Sequence, residues 1–389
     1  MSPSSSEKAG PTSYQNWRAR IAGAPRVGAS EVPFYSDAHI TGEITDSLGP
    51  YVLRNGIPAD ERDPAIVLLV DSHIDPNDLP AMDKTDTANF TGAWLGDEIA
   101  ALCALAFGAR VMAGNSTRLL LDAEKDRWVI MGDHGRPAFF PVRRHRHRVL
   151  PRIVKTTTMS PDLLKTFPAL TPGDATAVVR AARSYRDALW IAEAEPELSW
   201  LMLVSAIEVA AVQQHIDRTA PIEILRVSKP RLVARLESLS PEAVDEVAAA
   251  LARELRATAR FLDFMDRFMP TPPEKRPPEG FRLDWSAPNL KRCITKVYEH
   301  RSLALHEGIP FPPPMCDGPL LADPDWHAPI ETVPGLAAST SGGVWSREDL
   351  PFPLQTFEYI ARGALLNWWS ALAAPPRPAA YVPEPEGGT

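Results

Sequence analysis

Cysteine is scarce in this chain, and what little there is excludes several chemistries. Three cysteines (Cys103, Cys293 and Cys316) stand far apart among 389 residues and form no CxxC pair. That count supports neither a disulfide framework nor a cysteine zinc site, and it fits a reducing compartment. The opening MSPSSSEKAGPTS is polar and has no apolar stretch of the signal-peptide kind. The most apolar run, from Leu198 to Val212, carries Glu208 and is shorter than the roughly 20 residues a membrane helix requires. The expectation is a cytoplasmic protein that does not cross a membrane. HExxH, GxSxG, Walker and GxGxxG patterns are all missing.

Proline, by contrast, is abundant. Forty prolines cluster between periodic segments and near the end of the chain, where they mark loops. A formal charge of −8 argues against a surface coated with nucleic acid, yet leaves room for a local basic groove. Such a groove has one candidate, VRRHRHRVLPRIVK over 142–155, inside a stretch without acidic residues between Asp133 and Asp162. Extended, it would put Arg144, Arg146 and Arg148 on one face, a row able to follow an RNA backbone. The plainer reading is an edge strand protected by its charges or docked on an acidic neighbour. Phe139 and Phe140 beside it suit a core better than a base-stacking platform.

Hydrophobic periodicity divides the chain in two. Residues 1–30 read as disordered or extended. Residues 31–160 read as an α+β region. PAIVLLVDS (64–72) has the pattern of a buried strand, WLGDEIAALCALAFGARV (94–111) that of a helix ended by Gly108, and 118–142 that of strands joined by turns. Residues 161–374 read as all-helical, with helices expected over 174–194, 196–217, 241–268, 286–307 and 354–372. Ser240-Pro241-Glu242 has the form of a helix start, and TPPEKRPPEG (271–280) that of a loop. A proline-rich connection over 309–351 and a mobile tail over 375–389 complete the division. Asp71-Ser72-His73-Ile74-Asp75 lacks a second ligand cluster and reads as a turn, not a metal site. The last helix, with Trp368 and Trp369, lacks the basic polar face of a membrane binder and reads as a packing helix.

The helix over 286–307 carries the candidate chemistry. On a wheel at 100° per residue, Leu290, Ile294, Val297, Arg301 and Leu305 share a face, while Tyr298, Ser302 and His306 form the adjoining column. Arg301 thus sits in an apolar stripe, a position that costs free energy unless the cation is paired. Glu208, the one acid in the apolar run of 198–212, is the candidate partner. The plainer alternative is an arginine that only ties two helices together and a histidine that caps the last carbonyls.

Tyr298-Glu299-His300-Arg301-Ser302-Leu303-Ala304-Leu305-His306-Glu307-Gly308 resembles the helix end of the HEPN domain, in the Apea-like group, where Tyr-x-x-Arg-Ser-x-x-x-His-Gly recurs. SYRDALWIAEAEPELSWLMLVSAIEVAAV (184–212), with Ala206-Ile207-Glu208, is similar to that group's first two helices, and the resemblance covers about 174–310. It implies an all-α bundle that pairs as a homodimer, with two Arg/His sets meeting in a cleft. It also implies an endoribonuclease using neither metal nor cofactor, in which the RNA 2′-OH attacks the adjacent phosphate. Arg301 would then clamp phosphate and His306 act as acid, base or orienting group. Tyr298, Ser302 and Glu208 would support them. Ser302 stands where many active members carry Asn, Asp or His. The implied substrate is RNA, tRNA included, and the implied setting a toxin or phage-defence system. An antitoxin, or a ligand sensed by the N-terminal region, would be its partner. A non-catalytic RNA-binding or scaffolding role is the alternative the same family offers.

Overall fold

A computed structural model describes residues 9–56, 63–74, 85–122, 127–131, 135–138, 147–153, 155–214, 221–228, 230–319, 328–335, 337–340 and 342–374. The chain opens with helix α1 (Thr12–Ile21), followed by strands β1 (Gly28–Tyr35), β2 (His39–Thr41), β3 (Ile44–Leu48), β4 (Tyr51–Asn55) and β5 (Ile66–Ser72). Next come α2 (Leu95–Phe107), β6 (Met112–Ala113), β7 (Arg118–Asp122), β8 (Arg127–Ile130) and β9 (Thr156–Thr158). The rest is mainly helical: α3 (Pro172–Ile191), α4 (Pro196–Gln214), α5 (Pro221–Ser228), α6 (Pro230–Leu239), α7 (Pro241–Phe268), α8 (Ala287–His306) and the short α9 (Pro313–Cys316). A hairpin of β10 (Ala337–Thr340) and β11 (Gly343–Ser346) precedes the last helix, α10 (Leu354–Ala373).

A β-rich half followed by a helical half is therefore observed. The seven-stranded sheet has the order β3-β4-β5-β1-β7-β8, with β6 also paired to β1. β1 runs antiparallel to β5, placing Val32 opposite Leu68 and Phe34 opposite Ile66. Along β5, Ile66, Leu68 and Val70 are buried, while Val67 and Leu69 between them are half-buried. That is the alternation of a sheet with one face on the core. β2 and β9 form a separate parallel pair that ties residues 39–41 to 156–158.

The change of secondary structure near residue 160 is not a break in packing. One buried apolar cluster runs from Tyr14 and Trp17 of α1 through β1, β4, β5 and α2 to α3, α4, α8 and α10. At its centre the Trp200 ring lies 4.7 Å from that of Phe357 and 5.1 Å from that of Phe311, in stacked geometry. Trp368 and Trp369 of α10 are fully buried in this core. A smaller cluster of Leu225, Val233, Val244 and Ala248 joins α5, α6 and α7.

Charged groups reinforce the junction between the halves. Arg110 is buried, donating from Nε to the Leu189 carbonyl at 2.7 Å, from Nη1 to Asp37 at 2.7 Å and from Nη2 to Glu193 at 2.8 Å. Glu193 also accepts from the Val149 amide at 2.8 Å. Tyr185 of α3 donates to Glu358 of α10 at 2.6 Å. Burial raises the pKa of that carboxyl against the opposing pull of the Tyr185 bond and of Arg362, Lys155 and Arg152.

Several expectations need correction. Residues 1–30 are not uniformly disordered or extended, since α1 occupies Thr12–Ile21 and β1 begins at Gly28. The reason is tertiary: buried Glu98 of α2 accepts from the Ser13 amide at 2.7 Å at the start of α1, and Tyr14 and Trp17 enter the core. Ser240 precedes α7, with Pro241 in its first turn, but its side chain makes no capping hydrogen bond. The proline-rich connection holds a hairpin and a helical turn. Residues 1–8 and the tail over 375–389 lie outside the described residues.

Candidate functional site

The site is built where α8 passes α4 and α7. Pro288 in the first turn of α8 suits a helix start, and Gly308, at φ +67°, ends it in the left-handed region that glycine adopts without strain. Leu290, Ile294 and Val297 are buried, so the face predicted to be apolar turns inward over its first three members; Arg301 is half-buried, and Leu305, the last member, is exposed because it lies beyond the packed part of the helix.

Glu208 on α4 is the centre of the arrangement. Its Oε2 accepts from Arg301 Nη2 at 2.7 Å, and its Oε1 accepts from the Tyr298 hydroxyl at 3.0 Å. The Arg301 guanidinium lies 5.4 Å from the centre of the Tyr298 ring, within cation–π range. Tyr298 packs on Phe261 of α7 with ring centres 4.8 Å apart, and Thr258 of the same helix hydrogen-bonds its hydroxyl. Burial first, and the Glu208 carboxylate second, push the Tyr298 phenol up to about 12, so it stays a neutral donor at physiological pH. Arg301 and Glu208 retain 19% and 22% side-chain exposure, which leaves the pair reachable from solvent. The Arg301 Nε is buried without an acceptor among the described residues. That nitrogen is also closed off from water, so it is not the donor a ligand would meet.

His306 is placed differently. It is exposed on the last turn of α8 and makes no hydrogen bond to Arg301 within the chain. Ser302 is half-buried between them. The structure therefore brings Arg301, Glu208 and Tyr298 together, with Ser302 and His306 following along the same helix.

The first histidine of the stretch, His300, is a component the sequence reading did not assign. It is buried, its Nε2 lies 2.8 Å from the Asp349 carbonyl oxygen, and its ring centre is 6.0 Å from that of Phe311. Burial lowers its pKa, so the neutral ring donates to Asp349. Its spacing from Cys293 and Val297, at i+7 and i+3, was the available signal.

Of the proposed RNA-contacting row, Arg144 and Arg146 lie outside the described residues, as do Phe139 and Phe140. Arg148 is described, and its Nη1 lies 3.4 Å from Asp37, the carboxylate that also receives Arg110. Asp71 pairs with Arg26 at 3.2 Å and His73 Nδ1 lies 2.8 Å from the Ala24 carbonyl oxygen, which gives both residues structural partners; Asp75 is outside the described residues. No helix among the described residues is long and apolar enough to cross a membrane.

No protein-family model, no curated protein and no solved structure matches this chain.

Proposed function

We propose that this protein is a HEPN-type endoribonuclease, working as a homodimer in which the α8 ends of two copies form one RNA cleft. The observation that carries the reading is the placement of Arg301: a half-buried guanidinium held in a fixed orientation by Glu208 and Tyr298 and still reachable from solvent. Orientation is what a phosphate clamp requires, because a preset fork of N–H donors meets charge developing on phosphorus without reorganising. His306 stands exposed in the last turn of the same helix, open to an incoming RNA strand. In one copy it makes no hydrogen bond to Arg301, and a second copy across a two-fold axis would supply the missing half of the cleft. In the proposed reaction the RNA 2′-OH attacks the adjacent phosphate. The 5′-oxygen leaves with a proton, and a 2′,3′-cyclic phosphate remains.

The test is cleavage of total RNA and tRNA by purified protein in EDTA. Wild type should produce cyclic-phosphate ends, and Arg301→Ala and His306→Ala should each abolish cutting while keeping the wild-type circular dichroism spectrum. Variants that cut as well as wild type would show that the site is elsewhere.

A second reading, a non-catalytic RNA-binding or scaffolding protein, is favoured by one specific observation. Glu208 already balances the charge of Arg301 at 2.7 Å, as an arginine that merely joins α4 to α8 would require. RNA that is bound but left intact by wild type would decide for this alternative. A toxin or phage-defence setting is the cellular role that the family resemblance suggests.

A further inference from the structure

A second site opens on the other side of α3 and α4. Between these helices and the segment 85–94 lies a cleft of about 590 Å³, a volume typical of small-molecule sites. From α3 it takes Arg180, Arg183, Ser184 and Asp187, which recur at i, i+3, i+4 and i+7 and so share one helix face. From α4 it takes Met202, Ser205 and Val209 by the same rule.

The third wall is fastened by the two arginines. Arg180 donates from Nε to the Phe90 carbonyl at 2.8 Å, and from Nη2 to those of Thr87 at 2.8 Å and Ala88 at 3.1 Å. Arg183 donates from Nη1 to the Thr91 carbonyl at 2.7 Å. Gly92, at φ +68°, makes that approach possible, because a methyl group there would collide with the Arg183 guanidinium. Both cations are therefore held in place by carbonyl dipoles, and each keeps unspent N–H donors.

Charge and polarity in the cleft are uneven. Arg180 has no carboxylate partner among the described residues, and Asp86 on the adjoining segment is turned to the Ala88 amide at 2.9 Å. Asp187 lies 3.6 Å from Arg183 but gives its other oxygen to Arg186 at 2.7 Å. The Ser184 and Ser205 hydroxyls line the cleft with no hydrogen-bond partner among the described residues. Phe90, 67% exposed, also lines the cleft, with Met202 and Val209 supplying further apolar surface. An aromatic ring left this open has water on a face that a flat partner could cover.

We propose that this cleft binds a nucleoside monophosphate, with the base against Phe90 and the phosphate between Arg180 and Arg183. Guanidinium forks and hydroxyl donors match a phosphate dianion, and a phenyl face matches any base. The site is separate from the Arg301 cluster and does not depend on RNA cleavage. α4 links the two, since Val209 faces the cleft and its neighbour Glu208 holds Arg301.

Isothermal titration of the full chain at low salt, with AMP, GMP, CMP and UMP against adenosine and inorganic phosphate, tests the proposal. At least one monophosphate should saturate with Kd below about 1 mM, and adenosine and phosphate should each bind at least about tenfold more weakly. Phe90→Ala removes only an exposed ring, so folding is preserved, and it should weaken binding by about fivefold or more. Ser205→Trp, which fills the cleft from α4 while leaving the arginine anchors intact, should abolish it. The proposal is overturned if no monophosphate saturates, if inorganic phosphate binds as tightly, if only oligonucleotides bind, or if both variants retain wild-type affinity.

Discussion

Glu208 holds Arg301 at 2.7 Å across the α4–α8 contact, and both side chains are about one-fifth exposed. Replacing the acid leaves a cation partly shielded from water with no counter-charge, whereas replacing the arginine leaves Glu208 with its Tyr298 donor. Glu208→Ala should therefore cost about 1–3 kcal/mol, and more than Arg301→Ala, in urea unfolding with an unchanged slope. A nuclease adds a second expectation, that Arg301→Ala removes all cleavage although it is the milder change in stability. An Arg301→Ala variant that cuts RNA as well as wild type would make the arginine a tie between helices only.

Tyr298 adds an alkaline signature. Its folded pKa, near 12, lies above the usual value of 10.0. The folded state thus holds this proton more tightly than the unfolded state. The stabilisation is complete below about pH 10 and is lost as pH rises from there towards 12. Tyr298→Phe should be less stable at pH 8 by about 0.5–1.5 kcal/mol, the worth of the bond to Glu208. Between pH 10 and 12 its stability should fall less steeply than that of wild type. Parallel curves for the two proteins would show that this phenol does not titrate with folding.

Much of this site could be read from the residues, because local signals carried it. Gly108 and Gly308 end α2 and α8 at positive φ, and the wheel placed Arg301 among Leu290, Ile294 and Val297. Burial alone nominated Glu208 as its partner. The signals failed where structure depends on distant residues. α1 follows Pro11, lacks a side-chain cap of its own and is secured by Glu98 from far along the chain. β10 and β11 are four-residue strands that pair with each other alone among the described residues, within a stretch rich in proline and glycine. The cleft beside α3 was hidden for the same reason, since Arg180 and Arg183 look like a solvated face until the segment 87–91 folds over them.

His300 predicts a response to acid. Burial, the largest effect, and Lys296 lower its pKa from 6.5, while the Asp349 carbonyl and carboxylate and Glu299 oppose the shift. A base with a depressed folded pKa contributes stability above about pH 6.5 that is lost as pH falls through the folded value. His300→Gln keeps an N–H able to meet the Asp349 carbonyl but does not titrate. The urea midpoint of wild type should therefore decline more between pH 7 and 5 than that of His300→Gln. Carboxylates shared by both proteins cancel in this comparison, so an equal decline would remove His300 as the cause.

Arg110 should be the most sensitive charged position at the junction of the two halves. It is 3% exposed and satisfies Asp37, Glu193 and the Leu189 carbonyl at once. Arg110→Met preserves length and packing but leaves two carboxylates largely buried without their cation. Arg148, 3.4 Å from Asp37, is too exposed to replace it. The loss should be about 3–5 kcal/mol, the range for breaking a buried pair by removing one partner. Adding Asp37→Asn to this variant should restore part of that loss, because the stranded charge and not the missing contact carries most of the cost. Urea unfolding of the single and double variants separates these contributions, and a double variant less stable than Arg110→Met would refute the assignment.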